Sequence, residues 1–558
     1  MTTPKQLASD LDILEIVANI LIKRGYKDAD SAARFLGLTP SDKLDVFSIH
    51  GVKDAAEAIL SAIASGRRIV IYGDYDVDGV TGSSVYYEYL LRHSDLIEYY
   101  VPCRIEDGYG INIHSLRRIH EEGVDFVLTV DNGIGGWAVA DLALELGVEL
   151  VITDHHELPA KLPIGIVVNP KIGNQLPEMA GVGVAFLVCS AIERLKPTHG
   201  VTDLLDLVAI GTVADLVPLT GVNRPLVRAG LSVASKKERI GLRELIDQNK
   251  LVVDNSRSLQ VTDISFKLAP CLNAAGRIDR ADAGVKLLTA TDPKVAYEMA
   301  IKLLEINEQR KEITIEVNDK VEKFILDRKV DTTKAVVYYG EGSHHGVLGI
   351  AASRVVERYG VPALILGKMI KDGVELYSGS CRAPSGFNLF EAIKVAQDAG
   401  LIAGGGGHAC AAGVSVYVDK IEEFSKLISD SLFANYDLAK ASMGIKLDAD
   451  VRLSSITDDL LWQLSRFQPT GQGNPEVNLM TQDLMITKIT VLKNNFGLKM
   501  IVDDGNDSSM ECIGFKMADD LAHIKVGQLV DIVYTPEYNY FPPGRPPTIQ
   551  LRLKKIYY

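Results

Sequence analysis

Between about Gly51 and Leu219, short apolar runs alternate with amphipathic stretches. The runs are Arg68–Tyr72 (RIVIY), Asp125–Val130 (DFVLTV), Glu149–Thr153 (ELVIT) and Ile166–Asn169, with helical spacing in segments such as Gly136–Leu146. Short buried strands separated by amphipathic helices predict a parallel α/β sheet. From Lys294 to Arg328 the chain has neither Gly nor Pro and sets apolar residues at helical spacing among many charges. That pattern predicts one helix up to about 50 Å long, suited to connecting two domains.

A second, smaller α/β piece follows, with strands at Lys334–Tyr339 and Pro362–Leu366 and a helix at Gly349–Tyr359. In it a Gly-rich turn, Gly404–Gly407, leads into the alternating segment Gly413–Val418. Beyond about Asp448 the pattern becomes short strands divided by turn residues: Met485–Leu492, Leu498–Val502, Met510–Phe515, Leu529–Tyr534 and Ile549–Leu553. Strands of this length and spacing predict a small β-barrel. The expected division is an N-terminal helical segment packing on the core (1–50), a parallel-sheet domain (51–290), the connecting helix (291–330), a second α/β domain (331–435) and the barrel (436–558).

Composition narrows the function classes. At roughly 150 residues per domain, 558 residues suit three or four domains. With 59 Lys and Arg against 73 Asp and Glu, the net charge is −14, so nucleic acid could be bound only by a local basic patch. The six cysteines form no C-x-x-C pair, which argues against a thiolate zinc site and fits a reducing cytosol. Asp10, Asp12 and Glu15 interrupt any secretory start, and the apolar run Val182–Ala191 is too short to span a bilayer, so a cytoplasmic chain is expected.

The densest chemical signal is Gly73-Asp74-Tyr75-Asp76-Val77-Asp78-Gly79, directly after the first predicted strand. Crowded carboxylates repel unless a cation neutralises them, although a lone D-x-D also occurs as a solvated turn. The next strand ends in Asp131-Asn132-Gly133 and the third in Asp154-His155-His156. Ligands of open parallel sheets bind outside the carboxyl ends of the strands, so these clusters would meet in one crevice. Asp215, in an otherwise apolar stretch, either caps a helix or joins them. Aspartates with histidine and no cysteine suit Mn²⁺ or Mg²⁺, the ligand count is enough for two ions, and two such ions hydrolyse phosphoesters.

The ordered set GDYDVDG, DNG, TDHHE and GTVADLVPL resembles the DHH phosphoesterase family, and within it the single-strand-specific DNA exonucleases. Val101-Pro102-Cys103-Arg104, Asn273-Ala274-Ala275-Gly276-Arg277, Ser380-Cys381-Arg382-Ala383, Gly405-Gly406-Gly407-His408 and the Gln468–Pro475 segment extend the resemblance over nearly the whole chain. It implies a DHH domain at 51–290, a DHH-associated substrate-binding domain at 331–435 and an OB-fold nucleic-acid-binding domain at 436–558. The implied activity is metal-dependent 5′→3′ hydrolysis of single-stranded DNA to 5′-mononucleotides, in DNA repair and recombination. Asp74, Asp76, Asp78, Asp131, His155 and Asp215 would surround two Mn²⁺ or Mg²⁺ ions, with His156 facing the scissile phosphate. Arg277 would stabilise charge at phosphorus, while Arg104, Ser380 and Arg382 would hold the 5′-terminal phosphate.

Gly405, Gly406 and Gly407 would let the substrate backbone come close, and His408 either supports catalysis or packs. Asn307 and Arg310 on the long helix are candidate DNA contacts, whereas His344 and His345 read as structural. Tyr538–Tyr558 mixes five aromatic residues with Arg545, Arg552, Lys554 and Lys555, which is either a single-strand track or a solvated barrel edge. The partners implied are single-stranded DNA with a free 5′ end, a single-strand-binding protein and a RecQ-type helicase, and no membrane. Two other readings share the fold: a small-substrate phosphodiesterase, whose relatives generally lack the barrel, and an inactive DNA-binding scaffold, which would have lost metal carboxylates.

Overall fold

The computed structural model describes the chain apart from residues 1, 40–43, 103–109, 177, 255–256, 279–280, 372, 437–443, 493–496, 507, 516, 518–522 and 541–545. Contacts divide the chain into two compact units, one of Ile49–Asp215 with Ser232–Met443, the other of Met1–Ser48, Leu216–Leu231 and Gly444–Tyr558.

The larger unit opens with five parallel strands, β1 (Ile69–Tyr72), β2 (Ile97–Tyr100), β3 (Phe126–Thr129), β4 (Glu149–Thr153) and β5 (Ile166–Val168), in the order β2-β1-β3-β4-β5. β1 and β3 are buried at every position, as continuous β-branched and aromatic runs require when helices cover both faces. The reversal of strand order at β1 makes its carboxyl end, beside that of β3, a natural ligand crevice. Helices Val77–Leu90, Gly181–Leu195 and Leu205–Ala214 pack on one another beside the sheet.

The long helix runs from Pro293 to Asp327, N-capped by Asp292. It packs on helices of both parts of the unit, among them Ala269–Ile278 and Leu348–Tyr359. A second sheet follows, with β6 (Val336–Gly340), β7 (Ala363–Lys371), β8 (Val374–Arg382), β9 (Ile402–Gly407) and β10 (Ala411–Tyr417), ordered β6-β7-β8-β10-β9. Only β6 and β7 run parallel. The expected turn at Gly404–Gly407 is instead the edge strand β9, because β10 offers it a ladder in which Gly405 faces Val414 and Gly407 faces Ala412.

The other unit closes five strands into a barrel: β12 (Leu479–Val491), β13 (Gly497–Asp503), β14 (Ser509–Phe515), β15 (Leu529–Asn539) and β16 (Thr548–Tyr557), with the short β11 (Ala449–Asp450) beside β12. β12 pairs with both β13 and β15, and register shifts in each ladder supply the bends that closure needs. Helices Pro4–Leu11, Glu15–Lys23 and Ala29–Leu36 belong to this unit. They share one hydrophobic cluster with the barrel, where Leu7, Val17, Leu21 and Phe35 join Leu461, Phe467, Leu484 and Ile532. A buried ion pair from Arg24 to Asp448, 2.9 Å, fixes that packing. Among the described residues no helix is long and apolar enough to cross a membrane.

Candidate active site

Three strand ends and two helices build the acidic crevice. After β1 the chain turns through Asp74 and Asp76, and Asp76 N-caps helix Val77–Leu90 by accepting from the Gly79 amide at 3.1 Å. Asp78, one residue into that helix, accepts from the amides of Gly181 (2.6 Å) and Val182 (2.8 Å) at the start of helix Gly181–Leu195. A helix N-terminus thus holds one carboxylate in place. Gly181 must be glycine, since a Cβ there would lie 2.7 Å from the Asp131 Cβ.

Asp131 follows β3 with φ +64°, a left-handed conformation that side chains other than glycine adopt at a cost of about 1–3 kcal/mol. Its neighbour Asn132 braces the turn, accepting from the Ile111 amide and donating to the Tyr72 and Val130 carbonyls. Thr129 Oγ1 donates to the Asn132 carbonyl, and Thr153 Oγ1 to the Thr129 carbonyl. The strain is therefore over-determined by hydrogen bonds from both neighbouring strands.

After β4, Asp154 arranges both histidines. Its Oδ1 accepts from the His155 and His156 amides and lies 2.7 Å from His156 Nδ1, while Oδ2 accepts from the Ile134 amide. His155 Nε2 points into the acid cluster, 3.0 Å from Asp131 Oδ1 and 3.7 Å from both Asp78 Oδ2 and Asp215 Oδ2. Asp215 reaches this point from the C-cap of helix Leu205–Ala214.

Charge crowding shows in the acidities. Burial, then Asp76, pushes the Asp78 carboxyl up to about 7. Burial, Asp78 and Asp76 push Asp215 up to about 8, and the same three causes drive Asp131 well above the carboxylate range. Burial and the neighbouring His156 lower His155 to about 4. Burial works against charge on His156, but the hydrogen bond to Asp154 and the charges of Asp154, Asp215 and Asp74 outweigh it, lifting the imidazole to about 9.

This donor set fits divalent metal. Three groups, Asp131–His155–His156, Asp78–His155–Asp215 and Asp74–Asp76–Asp131, each bring their ligand atoms within 4.8 Å of one another. Asp215 Oδ2 is buried with no hydrogen-bond partner among the described residues. Buried oxygen donors raised in pKa by mutual repulsion are relieved by a hard cation, and shared members such as Asp131 and His155 suit two adjacent ions. A cavity of about 360 Å³ is lined by Glu157, which follows His156 in the chain, with Leu158, Lys171, Asn174 and Glu178.

A second cluster lies at the start of helix Leu348–Tyr359. A Cβ on Gly349 would come 3.1 Å from Arg382 Nη2 and 3.4 Å from Ser380 Oγ, so both side chains from β8 face the first helical turn. Arg277, in the last turn of helix Ala269–Ile278, donates to the Gly346 carbonyl at 3.1 Å, just ahead of that turn. Arg277, Arg382 and Ser380 thus gather around the N-terminus of this helix, a combination whose chemistry suits an anion. Arg104 lies outside the described residues. His408 is exposed after β9 and, with Lys171 as the larger influence, helps hold the Glu157 carboxyl below its usual range.

The long helix departs from expectation. Asn307 is 4% exposed and donates to Cys271 Sγ at 3.5 Å, so it braces helix packing, and its buried amide faces no solvent. Arg310 is held below its usual pKa by burial, and Arg354 is among the neighbouring charges. Arg358 pairs with Glu322, and His344 accepts from the Gly346 amide as a cap. Sequence reasoning brings Asp154 to the crevice but not its bracing of the two histidines, and it gives no role to Asn132 or to Asn273, whose Oδ1 accepts from the Val77 amide.

A parallel sheet with an acid and histidine crevice at its carboxyl ends, a second, smaller α/β domain and a closed barrel define a DHH-type phosphoesterase. Family models agree: the DHH family N-terminal domain matches residues 68–212, the DHHA1 domain 332–432 and the RecJ OB domain 447–555. The chain is 34% identical to the single-stranded-DNA-specific exonuclease RecJ of Bacillus subtilis (strain 168), over 98% of this chain and 69% of that protein. It is 32% identical to RecJ of Escherichia coli (strain K12), over 83% of this chain and 82% of that one. The chain belongs to the RecJ family of single-stranded-DNA-specific exonucleases. Among solved structures, RecJ from Thermus thermophilus in complex with Mn²⁺ superposes with a TM-score of 0.83 at 24% identity, covering all of this chain and 78% of that one. An exonuclease RecJ bound to manganese gives 0.61 at 30% identity, covering 71% of this chain and 97% of that one.

Proposed function

We propose that the chain is a metal-dependent exonuclease that enters single-stranded DNA at a free 5′ end and releases 5′-mononucleotides. The observation that carries this reading is the convergence of Asp74, Asp76, Asp78, Asp131, His155 and Asp215 on one crevice, supported by the separate cluster of Ser380 and Arg382 at the start of the Leu348 helix. Divalent ions, when bound by these residues, polarise the phosphodiester and acidify the attacking water.

The chain's own groups supply the rest. Asp154 accepts the Nδ1–H of His156, so the imidazole keeps its charge near neutral pH and turns an Nε2–H toward the scissile phosphate. Arg277 adds a guanidinium as negative charge develops at phosphorus. Ser380, Arg382 and the Leu348 helix hold the terminal phosphate, which sets how much of the strand passes the crevice before cleavage. Gly406 on the edge strand β9 leaves room for the strand, and the exposed His408 that follows β9 supports the same backbone. A duplex offers no free single strand, so a single-strand-binding protein and a helicase of the RecQ type would supply the substrate.

The test is to offer the same sequence as a single strand, as a blunt duplex and as a dinucleotide in Mn²⁺. The reading expects rapid loss of the single strand with the duplex intact. Hydrolysis of the dinucleotide with the long strand untouched would move the chain to the small-substrate branch.

A further inference from the structure

Two of the β16 cations singled out from sequence are neutralised within the barrel. Arg552 pairs with Glu537 (2.7 Å) and Glu476 (2.6 Å), and Lys554 pairs with Glu476 (2.8 Å), so two carboxylates neutralise two cations. A different surface of the same unit carries uncompensated positive charge beside open aromatic rings. On helix Asp458–Ser465, Trp462 is 55% exposed, and Arg466, one turn further on, stacks over it with Cζ 4.3 Å from the ring centroid. Arg228 donates to the Arg466 and Gln468 carbonyls at 2.9 and 2.8 Å, which holds its guanidinium against this segment. Burial and then the charge of Arg466 lower the Arg228 pKa, the mark of two cations side by side. Neither arginine has a carboxylate partner among the described residues.

Aromatic surface continues in the other direction. Asp458 lies one helical turn before Trp462 on the same face and accepts from the Tyr538 hydroxyl at 3.0 Å. Tyr538 contacts Tyr540, which is 45% exposed, with ring centroids 6.3 Å apart. Tyr540, Tyr538, Trp462, Arg466 and Arg228 therefore form one stripe across the barrel unit. The Asp458 carboxylate interrupts it, and that acid is engaged by Tyr538.

We propose that this stripe is a sequence-independent contact for single-stranded DNA, in which a base stacks on the open face of Trp462 while Arg466 meets an adjoining phosphate and Arg228, held by backbone carbonyls, adds positive charge beside it. Stacking on aromatic rings next to arginine is how single strands are held without base readout. Single-stranded DNA fits this surface because the charge is uncompensated and positive on a chain of net charge −14. The inference rests on the reading of the chain as a single-strand exonuclease and adds a contact in the unit that does not contain the acid crevice.

The chain has two tryptophans, so Trp137→Phe leaves Trp462 as the sole indole reporter in the full-length protein. With EDTA present to stop cleavage, titration with oligo(dT) should quench its emission. Trp462→Ala should weaken binding about tenfold, and Trp462→Phe should restore most of it. Arg466→Gln should reduce the slope of log affinity against log salt by about 0.7, one phosphate contact on a single strand. Unchanged emission at saturating oligo(dT), with Trp462→Ala and Arg466→Gln binding like the wild type, would overturn the stripe as a DNA contact. That result in a protein that still degrades single strands leaves the proposed function standing, whereas failure to degrade or bind any single strand is failure of the function itself.

Discussion

Asp78, Asp131 and Asp215 are retained as acids in a place where burial and mutual repulsion disfavour their ionised forms. Without metal, Asp78 and Asp215 keep protons in the folded chain at pH values where the unfolded chain has lost them. Their contribution to stability is full below the ordinary value of 3.8 and is lost as pH rises through about 7 and 8. His156, raised from 6.5 to about 9, has the same sign, and its contribution is lost as pH climbs through about 9. His155, lowered to about 4, contributes fully above its ordinary 6.5 and loses that only as pH falls through about 4. In EDTA the thermal midpoint should therefore fall between about pH 6.5 and 9, and saturating Mn²⁺, which takes the ionised carboxylates, should flatten or reverse the slope. A midpoint in EDTA that holds level or rises over that range would contradict this account of the cluster.

Asp154 acts through its neighbour. Asp154→Asn removes the charge opposite His156 Nδ1 while preserving shape, so activity should drop roughly 10- to 100-fold. The alkaline limb of the pH profile should also move to lower pH as the imidazole loses its proton more easily. A profile of unchanged shape with reduced amplitude would assign Asp154 to folding alone. The six candidate ligand positions are legible in the sequence because each follows a strand or begins or ends a helix in a recognisable run. The roles of Asp154 and Asn132 are not, because their work is hydrogen bonding to backbone that only the folded turn brings near.

At the scale of elements, the glycines of β9 divide by function. Gly407 has φ +142°, and a Cβ there would lie 2.5 Å from the Ala411 carbonyl oxygen; a Cβ on Gly405 would lie 2.8 Å from Ile393. Gly406 meets nothing within 4 Å, so the fold itself does not require glycine there. Gly406→Ala should leave the thermal midpoint within about 2 °C while lowering activity on single strands, whereas Gly407→Ala should lower the midpoint by several degrees, in line with about 1–3 kcal/mol of added strain. Equal losses of stability in both variants would mean that β9 is glycine-rich for packing alone. The strand itself is hidden from sequence reading because a run of glycines carries no alternation and has low strand propensity, and the ladder comes from β10. The barrel strands are legible for the opposite reason, since inward positions such as Leu498, Met500 and Val502 alternate with outward ones.

For the whole molecule, the parallel strands and the long helix follow from periodicity, but the placement of the N-terminal helices does not. Their apolar faces are generic, and only the tertiary structure shows Leu7, Val17 and Phe35 sharing a core with the barrel. Charge at this scale also misleads. The chain is acidic overall, and the basic run near its C-terminus is internally paired at Arg552 and Lys554, so the proposed nucleic-acid contacts rest on local clusters around Arg277, Arg382 and Arg466. The proposed function has the acid crevice use divalent metal to cut single-stranded DNA from its 5′ end. The most direct measurement follows single strands labelled at the 5′ or the 3′ end, with Mn²⁺ or EDTA, for the wild type and Asp131→Ala. Labelled mononucleotide should appear from the 5′ label at the earliest times, with gradual shortening of the 3′-labelled strand, no reaction in EDTA and a loss of at least about 100-fold in Asp131→Ala. Release of mononucleotide first from the 3′ label, or full activity in EDTA or in Asp131→Ala, would contradict it.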